Sequence, residues 1–232
     1  MLTPSVSEIE GAFLMTRPRQ PQDEIARLER RLARERRARL EAEAIAERGM
    51  RELYEKQRQI LWLAITDELT GLFNRRYLFE TMQKECQRAK RYRRDVSCLM
   101  LDVDGFKRYH DEHGHQAGDA TLRHVASVIT TLVRTVDVVS RYGGDEICIL
   151  LPDTGAEGAI SLAERMRATI EATPCPVDGT SLAVRVSIGI AWSTSAHESN
   201  PTMLLSRADA SLRKAKLAGG NRVSSELAAA PV

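Results

Sequence analysis

From Gln22 to about Thr66 the chain has no proline and a single glycine, Gly49, while Arg, Glu, Ala and Leu dominate. Alanine and straight-chain residues lose little side-chain freedom in a helix, so this stretch is constrained to one. At 1.5 Å per residue it runs roughly 65 Å. Ile25, Leu28, Leu32, Leu53, Ile60 and Leu63 fall on the a and d positions of one heptad frame. The same frame puts Glu35, Arg39, Gly49 and Lys56 on the seam, so its middle is poor. A helix this long cannot bury an apolar stripe alone. Residues 22–66 are therefore read as a helical stalk for coiled-coil dimerisation, in preference to a solvated single helix. Its basic cluster RERRAR, Arg34–Arg39, is interspersed with glutamate and reads as a solvated face, not a membrane or nucleic-acid patch. Residues 1–21, with three prolines, are expected to form a flexible N-terminal segment, and 227–232 a tail.

The 232 residues leave room for one domain besides the stalk. Charged residues are 28% with a net charge of +2, which makes nucleic acid a poor partner. No basic segment precedes an apolar run at the N-terminus, and no apolar stretch approaches a membrane span, so no transmembrane segment is expected. Cys86, Cys98, Cys148 and Cys175 are widely spaced and lack metal-site spacing. They read as buried, reduced thiols and point to a cytoplasmic location.

Past Asp67 the pattern alternates. A helix over 74–94 has Asn74 as its N-cap, and VSCLMLDV (Val96–Val103) is a buried strand. A helix over 117–135, a strand over 138–142, a two-residue turn at Gly143-Gly144 and a returning strand over 146–151 follow. Then come a helix over 155–173, a strand over 182–192, a helix over 201–218 and a short strand near 221–224. This order specifies an α/β (α+β) fold with a hairpin at the centre of its sheet.

Chemistry concentrates at two places. LDVDGFK ends the buried strand in Asp102 and Asp104, with Lys107 beyond; alone, solvated turn acids explain this as well. RYGGDEICILL places Asp145 and Glu146 after two glycines whose missing side chains let a ligand approach the backbone. If the hairpin lies beside the Asp102 strand, the carboxylates converge and repel one another unless cations fill the site. Hard oxygen donors suit Mg²⁺ and phosphoryl transfer, and Lys107 and Lys216 would meet phosphates.

The motifs DELTGLFNRR (67–76), DVDGFK (102–107), GHQAGD (114–119), RYGGDEI (141–147), SIGIA (187–191) and ADASLRKAKLAGGN (208–221) together resemble the GGDEF family of diguanylate cyclases. The resemblance implies a palm-like nucleotide-cyclase fold over 67–226, with a central mixed antiparallel sheet flanked by helices. It also implies condensation of two GTP into cyclic di-GMP with release of pyrophosphate. Under it, Asp102, Asp145 and the Val103 carbonyl hold Mg²⁺ (or Mn²⁺), and Glu146, Asp104 and Asp145 are catalytic. Gly143, Gly144, Lys107, His110, Asp119 and Lys216 bind GTP, and Arg134 with Asp137 forms an RxxD inhibitory product site. The chain departs from the family at His110 (usually Asn), Ile147 (usually Phe), Gly220 (usually Arg) and Arg213 (usually Tyr), with Arg222 close to the missing Arg. Neutral imidazole replaces only part of an amide's hydrogen bonding. Two facing GTP molecules require a homodimer with half a site per chain, which gives the stalk a purpose. A regulatory protein gripping the stalk would be a source of control. The competing reading is a catalytically silent cyclic di-GMP receptor or adaptor module; the retained signature acids favour the enzyme.

Overall fold

A computed structural model of the chain describes residues 20–177, 180–193 and 200–225. The expectations for 1–19 and for the tail lie outside these residues. Two compact units divide the chain, Met1–Gln59 and Ile60–Val232.

Helix α1, Pro21–Ile65, carries no buried residue. Its charged face is laced by i,i+4 ion pairs, Arg31–Glu35, Arg37–Glu41 and Arg39–Glu43, as expected of a solvated face. The heptad positions Ile25, Leu28, Leu32, Leu53, Ile60 and Leu63 are each at least half exposed.

The second unit is built on a six-stranded sheet in the order β1-β3-β4-β2-β7-β8. The strands are β1 (Phe73–Asn74), β2 (Val96–Val103), β3 (Val138–Gly143), β4 (Glu146–Pro152), β7 (Val186–Ser193) and β8 (Val223–Ser225). Four central strands pair antiparallel; β1 joins β3 and β8 joins β7 in parallel. A separate hairpin joins β5 (Cys175–Val177) and β6 (Thr180–Leu182). Helices α2 (Arg75–Tyr92), α3 (Phe106–Leu132), α4 (Ala156–Ala172) and α5 (Pro201–Leu217) cover the sheet. Every residue of β2 is buried, because the strand is covered on both faces. Leu99, Leu101 and Val103 pack with α3 and α4, whereas Val96, Cys98 and Met100 pack with α2 and α5. The four cysteines are free and buried, as expected.

Asn74 caps α2 by accepting the Tyr77 N–H at 3.0 Å, as its position predicts. Three expectations shift. The turn residues are Gly144 and Asp145, because a bulge after Arg141 pairs Gly143 with Glu146; Asp145 thus stands at the hairpin tip. Helix α3 starts at Phe106, not 117, and absorbs an interruption at Gly114 (φ 80°). It ends at Leu132, where Val133 turns extended. The strand over 182–192 is two elements, since β6 pairs with β5 while β7 begins at Val186 opposite Val103.

Two close contacts set the packing. Gly189 of β7 lets α5 lie directly on the sheet: a Cβ there would be 2.1 Å from the Leu212 nitrogen and 2.2 Å from the Ala208 oxygen. The other is the turn at 67–72. Asp67 accepts the Thr70 N–H and hydroxyl at 2.9 and 2.7 Å, and the Arg141 guanidinium at 3.1 Å. Arg141 also donates to the Gly144 carbonyl at 2.9 Å, so one guanidinium ties this turn to the hairpin tip. Burial works to raise the Asp67 carboxyl, but the Thr70 hydrogen bonds and the Arg141 charge outweigh it and hold it below its usual range.

Gly189→Ala is expected to cost about 3 kcal/mol, because helix backbone and not a mobile side chain must move; thermal unfolding measures it. Asp67→Asn is expected to lose about 1 kcal/mol at neutral pH. A depressed carboxyl stabilises above its unfolded pKa and stops doing so as pH falls through its folded value. The gap between the two proteins should therefore close below about pH 4, as read by denaturant unfolding across pH.

Candidate active site

The antiparallel register of β2 and β4 places Asp102 directly opposite Glu146, and cross-strand partners share a face of the sheet. Asp145 follows at the hairpin tip. Asp102 is only 5% exposed, and the Lys216 ammonium from the last turn of α5 lies 2.7 Å from its Oδ2. Burial pushes the Asp102 carboxyl up to about 6; the Lys216 hydrogen bond opposes this, while the charges of Asp145 and Glu146 add to it. Glu146 is also raised, first by burial and then by Asp209 and Asp145, against Lys216 and Arg75. The acids of the two motifs are therefore electrostatically one group, with more negative charge than Lys216 neutralises.

Among the described residues no three His, Cys, Asp or Glu side chains converge on one point. Asp102, Asp145 and the Val103 carbonyl would offer a smaller set of hard oxygen donors at the end of β2 and the hairpin tip. That set fits Mg²⁺, which keeps several positions for phosphate or water. The unbalanced charge on Asp102 is what a divalent ion would relieve.

The remaining expected residues lie along α3, at the hairpin, at the far end of β3 and, for Asp104, just beyond β2. Lys107 is exposed in the first turn of α3. His110 and Asp119 lie on either side of the Gly114 interruption. There the His110 ring meets His115 edge-on, with a nitrogen-to-nitrogen hydrogen bond. A Cβ on Gly118 would come within 3.2 Å of the His110 ring, so His110 is seated beside the GHQAGD segment that carries Asp119. Asp119 is half exposed, with Arg123 at 3.9 Å. Gly143 and Gly144 are exposed at the hairpin, Gly144 with φ 53°.

Arg134 and Asp137 are set apart, at the opposite end of β3. Six strand residues separate them from Gly144, about 20 Å. Asp137 is buried and accepts the backbone N–H of Arg134 at 2.8 Å, so its carboxylate shapes the turn before β3.

The departures resolve individually. Ile147 is fully buried in the core, where a Phe-to-Ile exchange keeps the strand apolar. Arg213 pairs with Asp209 along α5, and Arg222 donates to the Gly220 carbonyl at 3.1 Å. Gly220 has φ 72° and lies against Asp104, to which a Cβ would come within 3.1 Å. Asp104 itself is bound to Ser187 and Asn221, partners that residue chemistry alone does not disclose. The motif SIGIA contains Ser187, but nothing in its composition distinguishes that hydroxyl from a core serine.

The sequence profile described as Diguanylate cyclase, GGDEF domain, matches residues 64–222. The response regulator PleD of Caulobacter vibrioides is 40% identical over 164 residues, covering 70% of this chain and 36% of PleD. Diguanylate cyclase DgcP of Pseudomonas aeruginosa is 40% identical over 171 residues, 73% of this chain and 24% of DgcP. The chain thus spans about a third or less of these two relatives. Among solved structures, the coiled coil and GGDEF domain of Caulobacter crescentus DgcB in complex with c-di-GMP aligns with a TM-score of 0.72 at 31% identity, over 82% of this chain and 98% of that one. Diguanylate cyclase SiaD of Pseudomonas aeruginosa, in complex with its activator SiaC, aligns at 0.69 and 28% identity over 95% and 83%. The mixed sheet flanked by helices, the acids brought together at its end and the profile match over most of the chain place it in the GGDEF diguanylate cyclase family.

Proposed function

We propose that the chain is a diguanylate cyclase that condenses two GTP molecules into cyclic di-GMP and two pyrophosphates, working as a homodimer with half a site per chain. The observation that carries this reading is the pairing of Asp102 opposite Glu146 beside Lys216. It gathers the acids of two separated motifs where a nucleotide triphosphate would need them.

Asp102, Asp145 and the Val103 carbonyl would hold Mg²⁺ (or Mn²⁺). When bound, that ion supplies Lewis-acid stabilisation at the α-phosphate and a lowered pKa at the attacking 3′-hydroxyl. Glu146, raised by burial and by its acidic neighbours, is suited to accept the proton that leaves the 3′-hydroxyl. Lys216 is part-exposed, so its ammonium is free to turn from Asp102 to a phosphate oxygen. Lys107 adds a second positive charge, and Gly143 with Gly144 leaves room for the nucleotide against the hairpin backbone. Asp119 would accept from the guanine N–H edge, with His110 beside it in place of an amide.

The exposed heptad positions of α1 support pairing with a second copy through the stalk. The solved coiled coil of DgcB supports the same arrangement, and the SiaD–SiaC complex supports a regulatory protein as a further partner of a chain built this way. The exposed Arg134 beside the buried Asp137 suits a product site, because a guanidinium can fork onto phosphate or guanine acceptors. No helix among the described residues is long and apolar enough to cross a membrane. The four free, buried cysteines support a cytoplasmic location.

With GTP and Mg²⁺, nucleotide chromatography should show cyclic di-GMP; Asp145→Ala and Glu146→Ala should each lower the rate at least about a hundredfold. Turnover that survives both substitutions would overturn the assignment. In the same time course Arg134→Ala should raise the late-time yield by relieving product inhibition; an unchanged plateau would exclude that site. Removing residues 1–65 should lower specific activity most at low protein concentration, where pairing is lost. Equal activity at every concentration would exclude the stalk as the dimerising element.

A further inference from the structure

Asp104 sits two residues beyond Asp102, where an acid invites a role in the chemistry. Its surroundings assign it a different one. Oδ1 accepts the Ser187 hydroxyl of β7 at 2.7 Å, and Oδ2 accepts the backbone N–H of Asn221 at 2.7 Å. Its own N–H donates to the Arg185 carbonyl at 2.9 Å. Each carboxylate oxygen is therefore engaged with a different element, and the Gly220 backbone closes over the group.

The far side of this contact is as firmly held. Asn221 adopts a left-handed conformation, φ 47°, which asparagine tolerates better than most residues. Its side chain donates to Glu171 Oε1 at 2.7 Å and accepts from Arg167 Nη1 at 3.2 Å. Arg167 in turn binds Glu171 Oε2 at 2.8 Å, and Arg185 lies 3.5 Å from Glu171 Oε1. The turn carrying Asn221 is continuous with the end of α5: Gly219 N–H donates to the Lys216 carbonyl and Gly220 N–H to that of Ala215, both at 3.1 Å. Lys216 and Asn221 consequently move as one piece. That piece is anchored to the catalytic strand by Asp104 and to α4 by Glu171.

We infer that Asp104 is a positioning residue. It pins the turn after α5 and so holds the Lys216 ammonium at Asp102, with Asn221 and Glu171 completing the clamp. The nucleotide part of this inference rests on the cyclase reading; the clamp itself does not. A reacting group and a positioning group differ in what their loss does. Loosening Lys216 weakens the hold on a triphosphate and raises KM, whereas loss of a reacting carboxylate lowers kcat with KM little changed.

The experiment uses the full chain with Asp104→Asn, Glu171→Ala and Glu171→Gln. An Asn at 104 keeps an acceptor for only one of its two donors. A Gln at 171 still accepts from Asn221 Nδ2, so it serves as the conservative rescue. Amide hydrogen exchange over 218–223, measured without nucleotide, should speed up about tenfold in Asp104→Asn and Glu171→Ala and stay near wild type in Glu171→Gln. KM for GTP should rise about three- to tenfold in the first two, with kcat lowered no more than about threefold. If Asp104→Asn lowers kcat a hundredfold while exchange stays at the wild-type rate, Asp104 is a reacting group and the inference is wrong. Should Asp104→Asn fail to fold, Glu171→Ala decides: unchanged exchange at 218–223 overturns the clamp. Exchange is read without turnover, so an inactive wild-type chain would sink the cyclase reading and still leave the clamp tested.

Discussion

A carboxylate buried at the end of a fully covered strand is the constraint around which this domain is arranged. Asp102 cannot sit there ionised at no cost: taking its charge out of water works against it, and Glu146 and Asp145 add repulsion. Lys216 offsets part of this from the last turn of α5, so the helix must end near the strand end. That in turn requires α5 to lie close on the sheet, which Gly189 allows and any side chain there forbids. A domain selected only for stability would place an apolar residue at 102. The site carries a local cost in folding energy that Lys216 offsets only in part.

The same economy of parts is seen at Arg141. One guanidinium serves the turn at Asp67 and the carbonyl of Gly144, so the register at the end of β3 and the first turn of the domain are held by a single side chain. The bulge after Arg141 is the geometric counterpart: it moves Asp145 to the tip, beyond the strand that carries Glu146. Two adjacent acids thereby acquire different positions, one within the ladder and one outside it.

How much of this was legible depends on whether the information is local. The β2 strand, the Asn74 cap and the helices α2, α4 and α5 follow from periodicity and turn chemistry. The pairing of the hairpin with β2 that sets Glu146 opposite Asp102 is legible only through the family resemblance. The one-residue shift of the hairpin does not, because two glycines permit either turn and only the pairing partner selects one. The start of α3 was hidden by DGFK, which reads as a loop after a strand, and by Gly114, whose positive φ bends the helix without ending it. The least legible feature is Asp104. Its place in DVD suggested a reacting acid, while its partners come from elements that no local pattern connects to it.

Those partners lie 83 and 117 residues further along the chain. Contacts of such separation close late, because the loop entropy of bringing them together is lost before they return anything. During synthesis, Asp102 and its strand emerge well before β7, and Asn221 comes near the end of the described chain. The acidic end of β2 is thus among the later parts of the described chain to become complete. A chain interrupted before α5 would have the signature hairpin and the acids, yet neither the lysine that balances them nor the turn that holds it.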